Sequence, residues 1–466
     1  MRRTPVPVIL AVLMLVAALV GATAAAAGTS LDWERAGVMG TTSALHFADI
    51  AMRDAHVGLA VGDIEQDGKV LLVPVVYRTS DGGATWAPVT AERLYGQISG
   101  VAFSDSLHAW AVGADYGGGD RQAALLLASA DAGKTWARVA FPADAALQKV
   151  QFPSATTGYI TGNDGIVYVT TDGGARWAKR VPGAADVGFT GLSFTDATHG
   201  WVCGGQGNES YYGGRCYATA DGGTTWKDVS PDPESVVADC SFLAGGEGWV
   251  VNPDGIIFHT TDGGASWARQ HAAVGASVYF TGVGFVDADN GWVTALCFPP
   301  AYGGVGPAWA VILHTTDGGA TWVQQDCGVV TPTMTLAALD ARSAWVAGAE
   351  GLVMRTIDGG GAGFTPQSRP RTVALDSVTV QRGARAAFRF DIEDPGVPFA
   401  SAAVVIMDAR HRIKKTVRAG VGPTGETASC SVRIALPVGR YTWKVGCTDY
   451  AGFKQQSATV KPLIVK

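Results

Sequence analysis

Five carboxylates have types and positions that could do chemistry. Asp115, Asp120, Glu209, Asp232 and Glu234 fall in polar stretches where two acids can face one another. Paired carboxylates are what glycoside hydrolysis needs: one protonated to release the leaving oxygen, one ionised as base or nucleophile. Acids on exposed loops are ordinarily just solvated, so hydrolysis is the alternative reading. Other reactive types are dispersed. The eight His form no HExxH and no His/Cys cluster, and no GxSxG elbow is present. GGVG at 303–306 lacks the strand-to-helix setting of a phosphate loop. DADNG at 287–291 opens like a calcium loop but lacks the downstream Glu, and reads instead as a turn. No metal set and no cofactor is assigned.

The acids that recur lie in an octapeptide. It is TSDGGATW at 79–86, SADAGKTW at 129–136, TTDGGARW at 170–177, TADGGTTW at 219–226, TTDGGASW at 260–267 and TTDGGATW at 315–322, with a decayed TIDGGGAGF at 356–364. Asp81, Asp131, Asp172, Asp221, Asp262, Asp317 and Asp358 are spaced by 50, 41, 49, 41, 55 and 41 residues. A base period of 41 suits one four-stranded propeller blade with insertions. The chemistry of the box is that of a turn: Asp accepts from nearby backbone N–H groups, and the glycines permit positive φ.

The elements that position the boxes are strands. Each box follows an apolar strand, a turn, and a second strand with an aromatic, as in FSDSLHAWAVG (103–113) and FTDATHGWVCG (194–204). Each unit is therefore strands a, b, c, then the box, then strand d. Trp86, Trp136, Trp177, Trp226, Trp267 and Trp322 end the boxes, and Trp110, Trp201, Trp249, Trp292 and Trp345 sit on strand b. Tryptophan repeated at equivalent positions is core between blades. LDWERAG at 31–37 resembles strand d, so Trp33 is expected in the outer strand of the seventh blade, closing the ring.

On these boxes the chain resembles the bacterial neuraminidase (Asp-box) repeat family. With G-W-V-x-G before the box it most resembles the photosystem II stability/assembly-factor-like group. The resemblance implies a seven-bladed propeller over about 28–366. It does not identify a reaction, because the box is structural across sialidases, receptors and assembly factors alike. The Arg-Ile-Pro motif of sialidases is missing, and Arg93, Arg121, Arg180 and Arg215 form no recognisable triad.

Blades 1, 2, 4 and 6 are longer, with the additions between strands b and c at 63–72, 114–122, 205–216 and 297–309. These additions share the face opposite the boxes and are read as a binding rim. Tyr116, Arg121, Tyr211, Tyr212, Phe298, Tyr302 and Trp309 are its candidate residues. Gly beside aromatics suits stacking on a sugar or a protein hot spot, and equally suits loops that cover themselves. Two disulfides are expected to brace the rim: Cys203 with Cys216 across the blade-4 hairpin, and Cys297 with Cys327, which flank the blade-6 insertion; Cys240 is left as a buried free thiol.

Residues 1–27 read as a secretory signal peptide, with Arg2 and Arg3 before an apolar run and Ala22-Thr23-Ala24 as a cleavage site. Export permits disulfides. After a linker at 367–371, residues 372–466 alternate as strands of an immunoglobulin-like sandwich. A two-residue turn at Val438-Gly439 would set Cys430 opposite Cys447 for a bridge. The formal net charge of −6 gives no reason to bind nucleic acid or an anionic membrane, and no later stretch is apolar enough to span one. The expectation is an all-β, secreted or cell-surface binding or assembly protein. Its partner is a protein or carbohydrate at the cell envelope.

Overall fold

The short apolar runs, punctuated every few residues by Gly, Asp and Thr, fold as strands throughout. The computed structural model describes residues 33–466 apart from 41–43, 67–70, 90–94, 118–122, 142–144, 184–186, 209–210, 233–234, 271–277, 298–308, 326, 328–330, 332, 362–370, 394–398, 424–426, 450–454 and 456. Seven sheets, each of at least four strands, run through the first part of the chain. In blade 2, for example, Gly96–Phe103, Ala109–Asp115, Ala123–Ser129 and Ala137–Arg138 form an antiparallel meander from inner to outer strand. No helix among the described residues is long and apolar enough to cross a membrane.

The ring closes as the WER motif predicts. Glu34–Arg35 pairs antiparallel with Val353–Thr356 and completes blade 7. Trp33 is fully buried, and its Nε1–H donates to Gln325 Oε1 of blade 6 at 2.8 Å. The next two residues add something the motif did not announce. Gly37–Val38 pairs in parallel with the outer strand Thr85–Val89 of blade 1, giving that blade a fifth strand. One short segment thus ties blade 7 to blade 1.

The inner strands share an irregularity. In blades 1, 2, 3, 4 and 7 the ladder shifts by one residue near its start, and the residues just past the shift are Asp49, Gly100, Lys149, Gly191 and Thr335. A bulge leaves ladder groups unpaired and bends the strand. Neighbouring blades take up inner-strand N–H groups: Val101 N–H donates to Asp49, Phe194 N–H to Gln151, Phe242 N–H to Ser193 and Phe285 N–H to Ser241.

A first compact unit ends at Gly363 and a second begins at Phe364. The second is a two-sheet sandwich. One sheet holds Thr427–Arg433, Arg385–Glu393, Arg371–Ala374 and Ser457–Ala458; the other holds Val378–Val380, Lys461–Val465, Gly439–Asp449, Phe399–Met407 and Ile413–Pro423. Residues 385–393 alternate in burial as the sequence does, placing Phe388, Phe390 and Ile392 inward. Phe388 meets Trp443 edge-on at 4.9 Å. The expected hairpin at Val438-Gly439 does not form. Thr427–Arg433 pairs with Arg385–Glu393 in one sheet, whereas Gly439–Asp449 lies in the other, so Cys430 faces Phe388 and Cys447 faces Ala402. The chain arches between sheets there, which removes the register on which the Cys430–Cys447 bridge was argued.

Candidate functional site

The repeated box is a self-satisfied turn. In the first copy Thr79 Oγ1 donates to Asp81 Oδ1 and accepts from Gly83 N–H, while Thr85 N–H and Oγ1 donate to the two Asp81 oxygens at 2.9 and 2.6 Å. The same bonds recur at Asp131, Asp221, Asp262 and Asp317, and with Arg176 N–H alone at Asp172. The decayed box keeps Asp358 on Thr356 and Gly360. Hydrogen bonds from Thr135 hold Asp131, and those from Ser266 hold Asp262, at about 2, well below the usual carboxylate range.

Three boxes also receive a Trp from the neighbouring blade. Nε1–H of Trp201, Trp249 and Trp345 donates to the carbonyls of Gly263, Gly318 and Gly82 in the next blade's box. Gly83 lies at φ +83°, and a Cβ there would stand 2.4 Å from Trp345 Nε1. Only glycine offers both that backbone and that approach. Box Trp86 and Trp136 are buried, and each donates to its own box glycine. The box therefore builds joints between blades.

Asp49, Lys149 and Asp239, one each from the inner strands of blades 1, 3 and 5, line a cavity of ≈ 690 Å³. Asp49 is the hub. Its Oδ1 accepts from Lys149 Nζ at 2.9 Å and Thr335 Oγ1 at 3.0 Å, and its Oδ2 accepts from Val101 N–H at 3.0 Å. One carboxylate so joins blades 1, 2, 3 and 7. Burial alone would lower Lys149, but Asp49 and Asp239 outweigh it and hold the ammonium above its ordinary value. Burial pushes Asp239 up to about 6 despite Lys149. The cavity runs toward the a–b turns at Arg53–Asp54 and Ser104–Ser106, which is the box side of the ring. Sequence patterning did not bring these three together.

On the opposite face, two of the four insertions are strand rather than loop. Blade 1 extends Gly58–Gln66 against Leu71–Thr79, with Gln66 opposite Leu71, and blade 4 extends Gly200–Asn208 against Tyr211–Thr219, with Asn208 opposite Tyr211. Tyr211 and Tyr212 accordingly sit on strand c near the hairpin tip. Tyr116 is half-buried, and burial with the charge of Asp63 pushes its hydroxyl up to about 12. Burial, with Glu65 adding, raises Asp63 to about 7. Arg121, Phe298 and Tyr302 lie outside the described residues, as do the side chains of Tyr211, Tyr212, Trp309 and Cys297. Cys203 and Cys216 are register partners across the blade-4 hairpin, the placement the expected bridge needs, and both are thiols in this structure; Cys327 is buried.

Among the five acids considered for hydrolysis, Asp115 is bound by Arg138 at 2.6 Å and Asp232 by Arg269 at 2.9 Å. Asp120, Glu209 and Glu234 lie outside the described residues. Asp287 of DADNG accepts from Asp289 and Asn290 N–H groups, the same a–b turn that Asp54, Asp105 and Asp196 cap.

A family model described as Photosynthesis system II assembly factor YCF48 matches residues 128–206 and 184–273. The photosystem II assembly lipoprotein Ycf48 of Synechococcus is 36% identical over 81 residues, 17% of this chain and 22% of that protein. The photosystem II stability/assembly factor HCF136 of Arabidopsis thaliana is 23% identical over 280 residues, 46% of this chain and 67% of that one. The fold matches a solved structure of YCF48 bound to D1 peptide, with TM-score 0.53 and 19% identity over 70% of this chain and 95% of that one. It also matches YCF48 from Cyanidioschyzon merolae, with TM-score 0.50 and 18% identity over 70% and 98%. The propeller is of the Asp-box type that these assembly factors share.

Proposed function

We propose that this protein is a non-catalytic binding and assembly factor that holds a protein partner on the insertion-bearing face of its propeller. The observation that carries this is the closure of the repeated chemistry. Every described box carboxylate is satisfied within its own turn, and Asp49 is saturated by bonds from neighbouring blades. What differs from blade to blade is the opposite face, where the blade-1 and blade-4 hairpins are lengthened. A related fold, YCF48, is bound to a peptide of D1, which supports a polypeptide as partner here. The leader-like residues 1–27 support export and a partner at the cell envelope.

One observation favours a second reading. Burial raises Asp63 to about 7, and Glu65 two residues along the same strand adds its charge. A raised acid beside a second carboxylate is what a glycan hydrolase uses. One experiment separates the readings. Residues 28–466 are passed over a glycan panel, with retention and released product both scored, and then crosslinked at the cell surface. Crosslinking to a protein that is lost when 207–212 is shortened to a tight turn supports the binding reading. Product release that disappears in Asp63→Asn overturns it.

A further inference from the structure

The formal net charge of −6 hides two opposite halves. Residues 371–466 hold 15 Lys and Arg against 7 Asp and Glu, whereas residues 1–370 hold 20 against 34. The sandwich is thus a cation of +8 on a chain that is otherwise −14. A sign asymmetry of this kind within one chain points to an anionic partner for the basic part.

Register gathers much of this charge at one end of the sandwich. Arg385 and Arg433 stand directly opposite one another where two strands of the first sheet meet that end. Just beyond them Gly383 N–H donates to Ile434 O, and Arg382 N–H donates to Lys466 O, which ties in the second sheet. In that sheet Val465 faces Gly439, so Val438 and Arg440 flank the same end. Met407 faces both Thr442 and Ile413, and the turn Asp408–Arg412 lies beyond it. Arg382, Arg385, Arg410, Arg412, Arg433 and Arg440 therefore share one end, and all are exposed. Among the described residues Asp408 is the one Asp or Glu there. It takes Arg412 Nε at 3.0 Å and Lys414 Nζ at 3.2 Å. Arg385 donates instead to Ser431 O at 2.9 Å, and Arg433 to Gly383 O at 2.6 Å. Those neutral oxygens fix the two guanidiniums without cancelling their charge. Like charges directly opposite in a ladder destabilise it, and a bound anion would remove that repulsion.

Two apolar side chains sit among these cations. Val438, on the arch between sheets, is 68% exposed, and Ile413, next to Arg412, is 65% exposed. They are the two most exposed large apolar side chains among the described residues. A polyanion dissolved in water gains nothing from a bare Val and Ile. A bilayer interface does, because adsorption there adds buried apolar area to attraction for anionic headgroups. We propose that this end of the sandwich adsorbs the protein to an anionic lipid surface. Val438 and Ile413 enter the headgroup layer, and the arginines meet lipid phosphates, which guanidinium groups can bind through two parallel N–H bonds. The contact does not depend on what the propeller holds. It needs only the export that residues 1–27 support.

Residues 28–466 are sedimented with phosphatidylcholine vesicles and with a two-to-one mixture of phosphatidylcholine and phosphatidylglycerol, in dilute and in concentrated NaCl. Retention is expected on the mixed vesicles alone and falls in concentrated salt. Arg410→Gln and Arg440→Gln should each weaken it about fivefold, the effect of one cation at an anionic surface. Ile413→Ser with Val438→Ser should weaken it about tenfold at fixed salt. Arg371→Gln, at the far end of the first sheet beside Glu393, should change it less than about twofold. All five side chains are exposed, and matching thermal melts show that the variants fold. No retention on the mixed vesicles overturns the proposal. Retention that Ile413→Ser with Val438→Ser leaves intact also overturns it, and assigns the arginines to a soluble phosphate polymer. So does self-association without vesicles that Arg410→Gln and Arg440→Gln abolish, which makes the acidic part of a second copy the occupant. Failure here leaves the propeller's partner standing, because crosslinking reads that contact separately.

Discussion

Replacing Trp33 with Ala tests ring closure directly. The indole is fully buried against Trp292, Ile312, Val346, Leu352 and Met354. Its Nε1–H is one of two bonds that hold the Gln325 amide, whose nitrogen donates to Gly359 O. Truncating a buried Trp to Ala costs about 3–5 kcal/mol through lost transfer energy and the cavity left behind. Orphaning the Gln325 oxygen costs a further ~1–3 kcal/mol where water cannot reach it. The two overlap, so the expected loss is about 4–6 kcal/mol, a large part of the stability of an ordinary domain. Trp33→Phe keeps much of the packing and loses the bond, and is expected to cost about half as much. Urea unfolding followed by circular dichroism and by fluorescence reads both values. The C-terminal sandwich serves as an internal control because its core does not include Trp33. A Trp33→Ala change below about 1 kcal/mol would mean that this strand does not close the ring.

The other expectations concern joints and charges. Gly83→Ala places a Cβ 2.4 Å from Trp345 Nε1 at φ +83° and is expected to destabilise by about 2–4 kcal/mol; Gly245→Ala, at φ +98° with nothing within 4 Å, carries only the backbone strain of about 1–2 kcal/mol. Equal losses in chemical denaturation would refute the joint. Asp131 and Asp262 sit at about 2 when folded against an ordinary 3.8. Their stabilisation is therefore full above about pH 4 and is lost as pH falls toward 2; Asp131→Asn should flatten that acid limb of the urea midpoint. Asp239 runs the other way. Raised from 3.8 to about 6, it contributes stability that is full below about pH 4 and lost as pH rises through 6. Asp239→Asn should remove that falling slope, and an unchanged slope would contradict the buried placement. Asp49→Ala leaves Lys149 without its 2.9 Å partner, and should lower Tm more than Lys149→Met, which removes the cation as well.

What the sequence discloses here follows from how local each feature is. Each box is eight consecutive residues whose bonds close on themselves, so its role could be read without neighbours. The fit of WERAG to an outer strand came from matching one Trp to six others. The Asp49–Lys149 bond spans 100 residues, and each partner is the one acid or lysine of its inner strand. The available signal is that lone charge in LHFADIAM and LQKVQ, at the same point of blades 1 and 3. Gly and polar residues dominate the insertions and suggest loops, yet pairing of Gly200–Asn208 with Tyr211–Thr219 continues to the tip. The hairpin expected at Val438-Gly439 fails for a related reason. A hairpin and an arch between sheets leave the same alternation in the flanking strands, and only the pairing of Cys430 with Phe388 tells them apart.

Closure of the ring by its own first strand sets a clock on biosynthesis. Glu34 and Arg355 join across 321 residues, so at roughly 5–20 residues per second a ribosome needs on the order of half a minute between making one and the other. Throughout that interval the outer edge of blade 7 does not exist and Trp33 has no pocket. Gly37 and Val38 can take their native partners Thr85 and Trp86 as soon as blade 1 has formed, whereas Glu34 and Arg35 must wait for Val353–Thr356, so the same short segment is anchored at one end for the whole of that interval.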